Sequence, residues 1–163
     1  MNGFFNKLLR IDLSRQTYGY EDIPDTVVSE TLGGKGLGTH YLLEENPVGV
    51  DPLSPENKFI ITTGPITGTK VWSQSRFAVF SKSPLTGGYG ESYCGGSLAP
   101  KIKGCGIDCI IIEGKAKDLV FLTIDEDGVS FHEAPQLKGK ETFETEDYIL
   151  GQSKKNAGAM VIG

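Results

Sequence analysis

At 163 residues, the chain suffices for one domain with a real core, on a scale of about 100 to 200 residues per domain. Its 38% hydrophobic and 23% charged content is that of a soluble globular protein, and no apolar run approaches the roughly 20 residues a membrane helix needs, so no membrane partner is expected. A formal charge of −5 excludes a general nucleic-acid binder, whose affinity is supplied by clustered Lys and Arg.

The first residues, Met1-Asn2-Gly3-Phe4-Phe5-Asn6, form neither a basic stretch nor the start of an apolar one long enough for a secretory signal, so a cytoplasmic location is expected. Residues 8–13 and 18–23 read as two strands of a hairpin. Pro24 and Asp25 punctuate the chain, and residues 27–32 read as a short helix stopped by Gly33-Gly34. Gly33-Gly34-Lys35-Gly36-Leu37-Gly38 lacks the preceding strand and the Lys-Ser/Thr ending of a nucleotide-binding loop. From Leu37 the positions Leu37, Tyr41 and Leu42 recur at helical spacing, so these glycines break one helix and begin another, for close packing rather than ligand contact.

Residues 50–57 hold two prolines and no periodicity and read as an extended connection. The strand 58–63, with Phe59-Ile60-Ile61 apolar on both faces, reads as interior. A turn follows, then a loop at 71–74 with the only tryptophan, Trp72, which reads equally as a contact platform and as a core residue at a sheet edge. Residues 76–82 alternate: Phe77, Val79 and Ser81 on one face, Arg76, Ala78 and Phe80 on the other.

Residues 84–96 read as a glycine-rich loop, 96–103 as a short helix with Pro100 in its first turn, and 107–113 as the most apolar strand. Such a loop running into a helix leaves backbone N–H groups uncovered and able to receive an anion. Arg76 adds a charged fork for a phosphate or planar polar ring.

Residues 119–124 and 129–132 form a second hairpin across Asp127-Gly128. His132 on that hairpin, and His40 in the helix after the glycines, have no partner in sequence that suggests catalysis. Residues 141–150 read as an acidic amphipathic helix with Phe143 and Tyr148 as core contacts. Ala159-Met160-Val161-Ile162-Gly163 has the character of a buried strand, so the chain is expected to be a single domain, 1–163, truncated at its C-terminal end. An apolar edge strand left unpaired would favour a homo-oligomer.

The cysteines Cys94, Cys105 and Cys109 are odd in number, which fits a reducing compartment. Their spacing matches no common zinc or ferredoxin pattern, and they read as small half-buried thiols rather than metal ligands.

Several segments together resemble a known family. Arg76-Phe77-Ala78-Val79 followed by Lys82-Ser83-Pro84-Leu85-Thr86-Gly87, with residues 108–116 downstream, is similar to the N-terminal domain of tungsten-containing aldehyde ferredoxin oxidoreductases. So are Gly33-Gly34-Lys35-Gly36-Leu37-Gly38 leading to Tyr41, and Asp51-Pro52-Leu53-Ser54-Pro55-Glu56-Asn57 leading to Thr63-Gly64-Pro65-Ile66-Thr67-Gly68-Thr69. The resemblance covers essentially the whole chain, in order.

It implies a parent enzyme that oxidises an aldehyde substrate to a carboxylic acid and passes two electrons to ferredoxin. The first domain of such enzymes is a saddle for a tungstopterin or molybdopterin (a bis-pterin), while downstream domains carry the 4Fe–4S cluster and the substrate channel. The implied cofactor-binding residues are Arg76, through its guanidinium, and Tyr93, Cys94 and Gly95, through backbone atoms. The Tyr93 carbonyl would be a ligand of a magnesium ion bridging the pterin phosphates. Family members carry a small polar residue such as Asn where this chain has Tyr93, a change a backbone carbonyl survives. No catalytic residue is implied, and the fragment alone is expected to be inactive.

From residues alone, a stand-alone module for a phosphate-bearing ligand and a structural or partner-docking domain remain alternatives. The expected fold is α+β, with two mixed or antiparallel β-layers and short helices, forming an incomplete cofactor saddle rather than a doubly wound unit.

Overall fold

A computed structural model describes residues 2–162 of the chain. Its framework is a six-stranded sheet in the order β2-β1-β6-β3-β4-β5. The strands are β1 (Lys7–Asp12), β2 (Thr17–Asp22), β3 (Phe59–Thr63), β4 (Phe77–Lys82), β5 (Tyr89–Cys94) and β6 (Cys109–Glu113). Every neighbouring pair is antiparallel except β1 with β6. A separate antiparallel hairpin joins β7 (Val120–Asp125) to β8 (Gly128–Glu133). The fold is α+β with two β-layers, and its single parallel pair sets it apart from a doubly wound unit.

The apolar pattern explains the layering. In β1, Leu8 and Leu9 are both fully buried although consecutive strand residues face opposite ways, so both faces of the sheet are covered. Leu8, Ile60, Ala78, Phe80, Cys109 and Ile111 meet Val28 of α1 (Asp25–Thr31) and Leu37 and Leu42 of α2 (Gly34–Glu45). Leu9, Ile11, Ile61, Phe77 and Ile110 meet Ala99 of α3 (Leu98–Gly104) and Val129 of β8. Each fully buried Leu, Ile or Phe contributes about 1.5–3 kcal/mol.

The residues leading into β1 are held at the start of β6 by Asp108. Its fully buried carboxylate accepts the backbone N–H groups of Phe5 (2.8 Å) and Asn6 (2.7 Å) and pairs with the buried ammonium of Lys103.

The structure departs from the sequence reading at several points. The stretch 84–96 is not a loop throughout, because residues 89–94 form edge strand β5, hydrogen-bonded to β4. Arg76 stands just before β4 rather than within it. Trp72 is 92% exposed, which rules out the core reading. In α4 (Thr142–Gly151), started by a capping box between Glu141 and Glu144, the buried residue is Thr145, while Phe143 is exposed.

Residues 159–162 form no strand, and Met160 and Ile162 are exposed; Gly163 lies outside the described residues. The β7–β8 turn is centred on Glu126 and Asp127, and Gly128 instead opens β8, where the Tyr18 ring leaves no room for a side chain. His132 is half-buried: Nε2 lies 2.7 Å from Thr123 Oγ1 and the ring stacks on Phe121 at 4.6 Å.

Candidate functional site

Strand β5 ends the sheet order, so one edge faces β4 and the other has no strand partner among the described residues. Such an edge presents backbone N–H and C=O groups to a ligand. The register pairs Ala78 with Tyr93 and Phe77 with Cys94. Tyr89, Glu91 and Tyr93 therefore lie on the α2 face, opposite Lys82, Phe80 and Ala78, while Ser92 and Cys94 turn to the other face. The half-exposed Tyr93 ring stands edge-on to Phe80 at 6.5 Å.

The approach to β4 fixes Arg76. Gln74 closes the preceding turn, its side chain accepting from Gly68 N–H (2.7 Å) and donating to the Thr69 carbonyl (3.2 Å). Ser75 then ties the turn to the end of β5, its hydroxyl donating to the Gly96 carbonyl. The Ser75 carbonyl lies 3.7 Å from where a Cβ on Gly95 would stand. Arg76 directly precedes, and Gly95 directly follows, the last pair of the ladder, Phe77 and Cys94. Arg76 is exposed, and its guanidinium has no hydrogen bond or ion pair among the described residues.

Of the residues implied by the sequence, Arg76, Tyr93, Cys94 and Gly95 thus converge on one end of the β4–β5 ribbon. The exposed Cys94 thiol points away from the α2 face into a groove of about 410 Å³, shared with Phe77, Leu98, Leu150 and Met160.

Two features were invisible in the sequence. Helix α2 runs antiparallel to β5, with Lys35 Nζ 2.9 Å from Glu91 and the Thr39 hydroxyl 2.8 Å from the Tyr89 hydroxyl. Its first residue, Gly34, accepts from Thr62 Oγ1 (2.9 Å), and Thr62 pairs with Ala78. The N-terminus of α2 therefore sits over the sheet row that ends in Tyr93. It begins at Gly33 with a φ of 72° and no side-chain cap, so its first N–H groups and the positive end of the helix dipole lie at the same end as Arg76.

Glu91 is the second feature. Its carboxylate accepts from Lys35, from the Tyr89 hydroxyl (3.0 Å) and from the Tyr93 hydroxyl (3.3 Å). The bond from Lys35 holds the Glu91 carboxyl below its ordinary range, and Glu91 holds the Lys35 ammonium above its own. Burial, and then the Glu91 charge, push the Tyr93 phenol up. The glycines of α2 serve packing as the sequence suggests: side chains at 36 and 38 would overlap the Thr31 carbonyl and the Phe80 ring.

This donor set suits a planar, anionic group: an uncommitted guanidinium, an open strand edge, a side-chain-free Gly95-Gly96 bend and a positive helix end. Among the described residues, no three or more His, Cys, Asp or Glu are grouped to hold a metal ion.

A family model described as aldehyde ferredoxin oxidoreductase, N-terminal domain, matches residues 8–163. The chain is 41% identical over 146 residues to a tungsten-containing aldehyde ferredoxin oxidoreductase of Pyrococcus abyssi, covering 90% of this chain and 24% of that protein. It is 37% identical over 142 residues to the WOR-like subunit of an aliphatic sulfonate oxidoreductase of Pyrococcus furiosus, covering 85% of this chain and 22% of that protein. Among solved structures, the active-site complex BamBC of benzoyl coenzyme A reductase with 1,5-dienoyl-CoA superposes with a TM-score of 0.89 at 33% identity, covering 93% of this chain and 23% of that one. The chain spans about a quarter of the length of the curated relatives it matches.

Proposed function

The chain belongs to the aldehyde ferredoxin oxidoreductase family, as its N-terminal domain, and from that premise we propose that it is a single pterin-cofactor-binding domain of an enzyme that oxidises aldehydes to carboxylic acids. The observation that carries this reading is the uncommitted Arg76 guanidinium at the open end of the β4–β5 ribbon, one residue from the terminal Phe77–Cys94 pair that Gly95 follows. A cation free of internal partners beside an unpaired strand edge is ready to form charge-assisted bonds with an anionic, planar ligand. The aldehyde assignment follows the more similar relatives over the sulfonate-linked one.

When bound, the tungsten or molybdenum bis-pterin supplies the two-electron chemistry, with ferredoxin as acceptor. The chain's own residues bind and orient it. Arg76 grips an anionic or polar edge, and the Tyr93-Cys94-Gly95 backbone lies along the open strand. Gly95 leaves no side chain between that backbone and the ligand. The Tyr93 carbonyl offers a magnesium ligand, and the uncapped start of α2 adds positive potential. The 4Fe–4S cluster and the catalytic groups belong to residues outside this chain. A cytoplasmic enzyme, with homo-oligomers, completes the proposal.

The test compares tungsten, molybdenum and pterin bound per full-length polypeptide in wild type and Arg76→Ala. Bonds worth about 1.5–3 kcal/mol each predict a roughly ten- to hundredfold weaker hold on the pterin, with the apo protein equally stable. Wild-type occupancy in the variant would overturn the assignment.

A further inference from the structure

We propose that Glu91 is a positioning residue for the cofactor edge, its carboxylate bracing the open strand β5 against the first turns of α2; this rests on the cofactor-binding reading above. β5 is hydrogen-bonded on one side only, and nearly all of its residues are exposed. Edge strands with so little burial sample open states readily. The backbone of this strand is nevertheless the part that would have to hold still beneath a ligand, since misplacement of about 1 Å costs much of the advantage of a preformed site.

The brace is built from both elements. Glu91 stands opposite Phe80, in the middle of β5. Its carboxylate accepts from Lys35 on α2 at 2.9 Å and from the hydroxyls of Tyr89 and Tyr93 on its own strand, at 3.0 and 3.3 Å. Tyr89 is joined in turn to Thr39 of α2 at 2.8 Å. Residues 89, 91 and 93 are thereby linked to each other and to the helix at 35 and 39, one turn apart. An isolated surface ion pair would contribute little. Here a single carboxylate is the shared acceptor of three donors, so its removal frees Lys35 and Tyr93 together and leaves Tyr89 tied only to Thr39. The tie reaches Tyr93, two residues before Gly95, and it engages Lys35, whereas the Arg76 guanidinium stays uncommitted among the described residues.

The test uses the full-length protein in three forms: wild type, Glu91→Ala and Glu91→Gln. Two quantities are read: hydrogen–deuterium exchange of the amides in residues 90–96 of the apo form, and pterin retained through purification. In Glu91→Ala the exchange should speed up by roughly tenfold or more, and retained pterin should fall below half of wild type. Glu91→Gln keeps a carbonyl for the tyrosine hydroxyls but loses the charge that holds Lys35, and should lie between the two. Exchange at the wild-type rate in Glu91→Ala would overturn the brace. Faster exchange with undiminished pterin would overturn its link to the cofactor. A wild-type protein without pterin would instead overturn the underlying reading, an outcome told apart because the wild type itself reports it.

Discussion

Gly38 of α2 lies directly against the ring of Phe80 on β4, with no room between them for a methyl group. This contact sets the depth at which α2 rests on the sheet, and so the height of its first turn above Tyr93. Gly38→Ala should destabilise the protein by about 1–3 kcal/mol through overpacking, although alanine alone would favour the helix by up to about 1 kcal/mol. Pairing it with Phe80→Leu should recover part of the loss. Urea denaturation checks both, and a stabilised Gly38→Ala protein would contradict the packing role.

Lys103 and Asp108 form a buried ion pair, with the ammonium also 5.2 and 5.5 Å from the ring centres of Phe4 and Phe5. Lys103→Met would leave a buried carboxylate supported only by two backbone N–H groups, at a cost of about 3 kcal/mol or more. The denaturation midpoint should fall accordingly, and exchange should rise first in residues 4–6. An unchanged midpoint would mean that Asp108 needs no cation.

Trp72 stands free of the core, so Trp72→Ala should change the stability of the chain by less than about 0.5 kcal/mol. A loss of 2 kcal/mol or more would show that the ring is packed after all.

The Glu91–Lys35 pair carries a pH signature. Glu91 is held below its ordinary value, so its contribution is present above the ordinary carboxylate range, near about 4.3, and is lost as pH falls through the lowered value. Lys35 is raised, so its contribution is present below about 10.4 and is lost as pH rises through the raised value. Tyr89 and Tyr93, the other titrating groups facing this carboxylate, are also raised and stay neutral over the same span. Protection of residues 90–96, corrected for intrinsic exchange, should therefore be level between about pH 5 and 9 and fall on either side. A steady change across neutrality would contradict the pairing.

Much of the fold was legible because burial follows pattern. The β1–β2 and β7–β8 hairpins, the interior strands β3 and β6 and the end of α2 before Pro47 all came from alternation, apolar runs and turn residues. β5 did not, since Tyr89-Gly90-Glu91-Ser92-Tyr93-Cys94 is an edge strand with little to bury, and Gly87 and Gly88 beside it imitate a loop. Phe143, Met160 and Ile162 failed in the opposite direction: their apolar character suggested burial, yet they are exposed in this chain. At the candidate site, the cluster around Arg76 and Gly95 was accessible through resemblance. Lys35 and Glu91, 56 positions apart, are joined only by the packing of α2 along β5, which no local pattern encodes.

The most direct measurement is an anomalous-scattering map of crystals of the full-length protein, collected at the tungsten and molybdenum edges. A peak whose signal rises sharply across the tungsten or the molybdenum edge is expected, with pterin density beside it, polar groups of the pterin within hydrogen-bonding distance of the Arg76 guanidinium, and the ligand running along the Tyr93-Cys94-Gly95 edge. A metal-bound pterin seated elsewhere, with Arg76 turned to solvent and the β5 edge covered by protein alone, would contradict it.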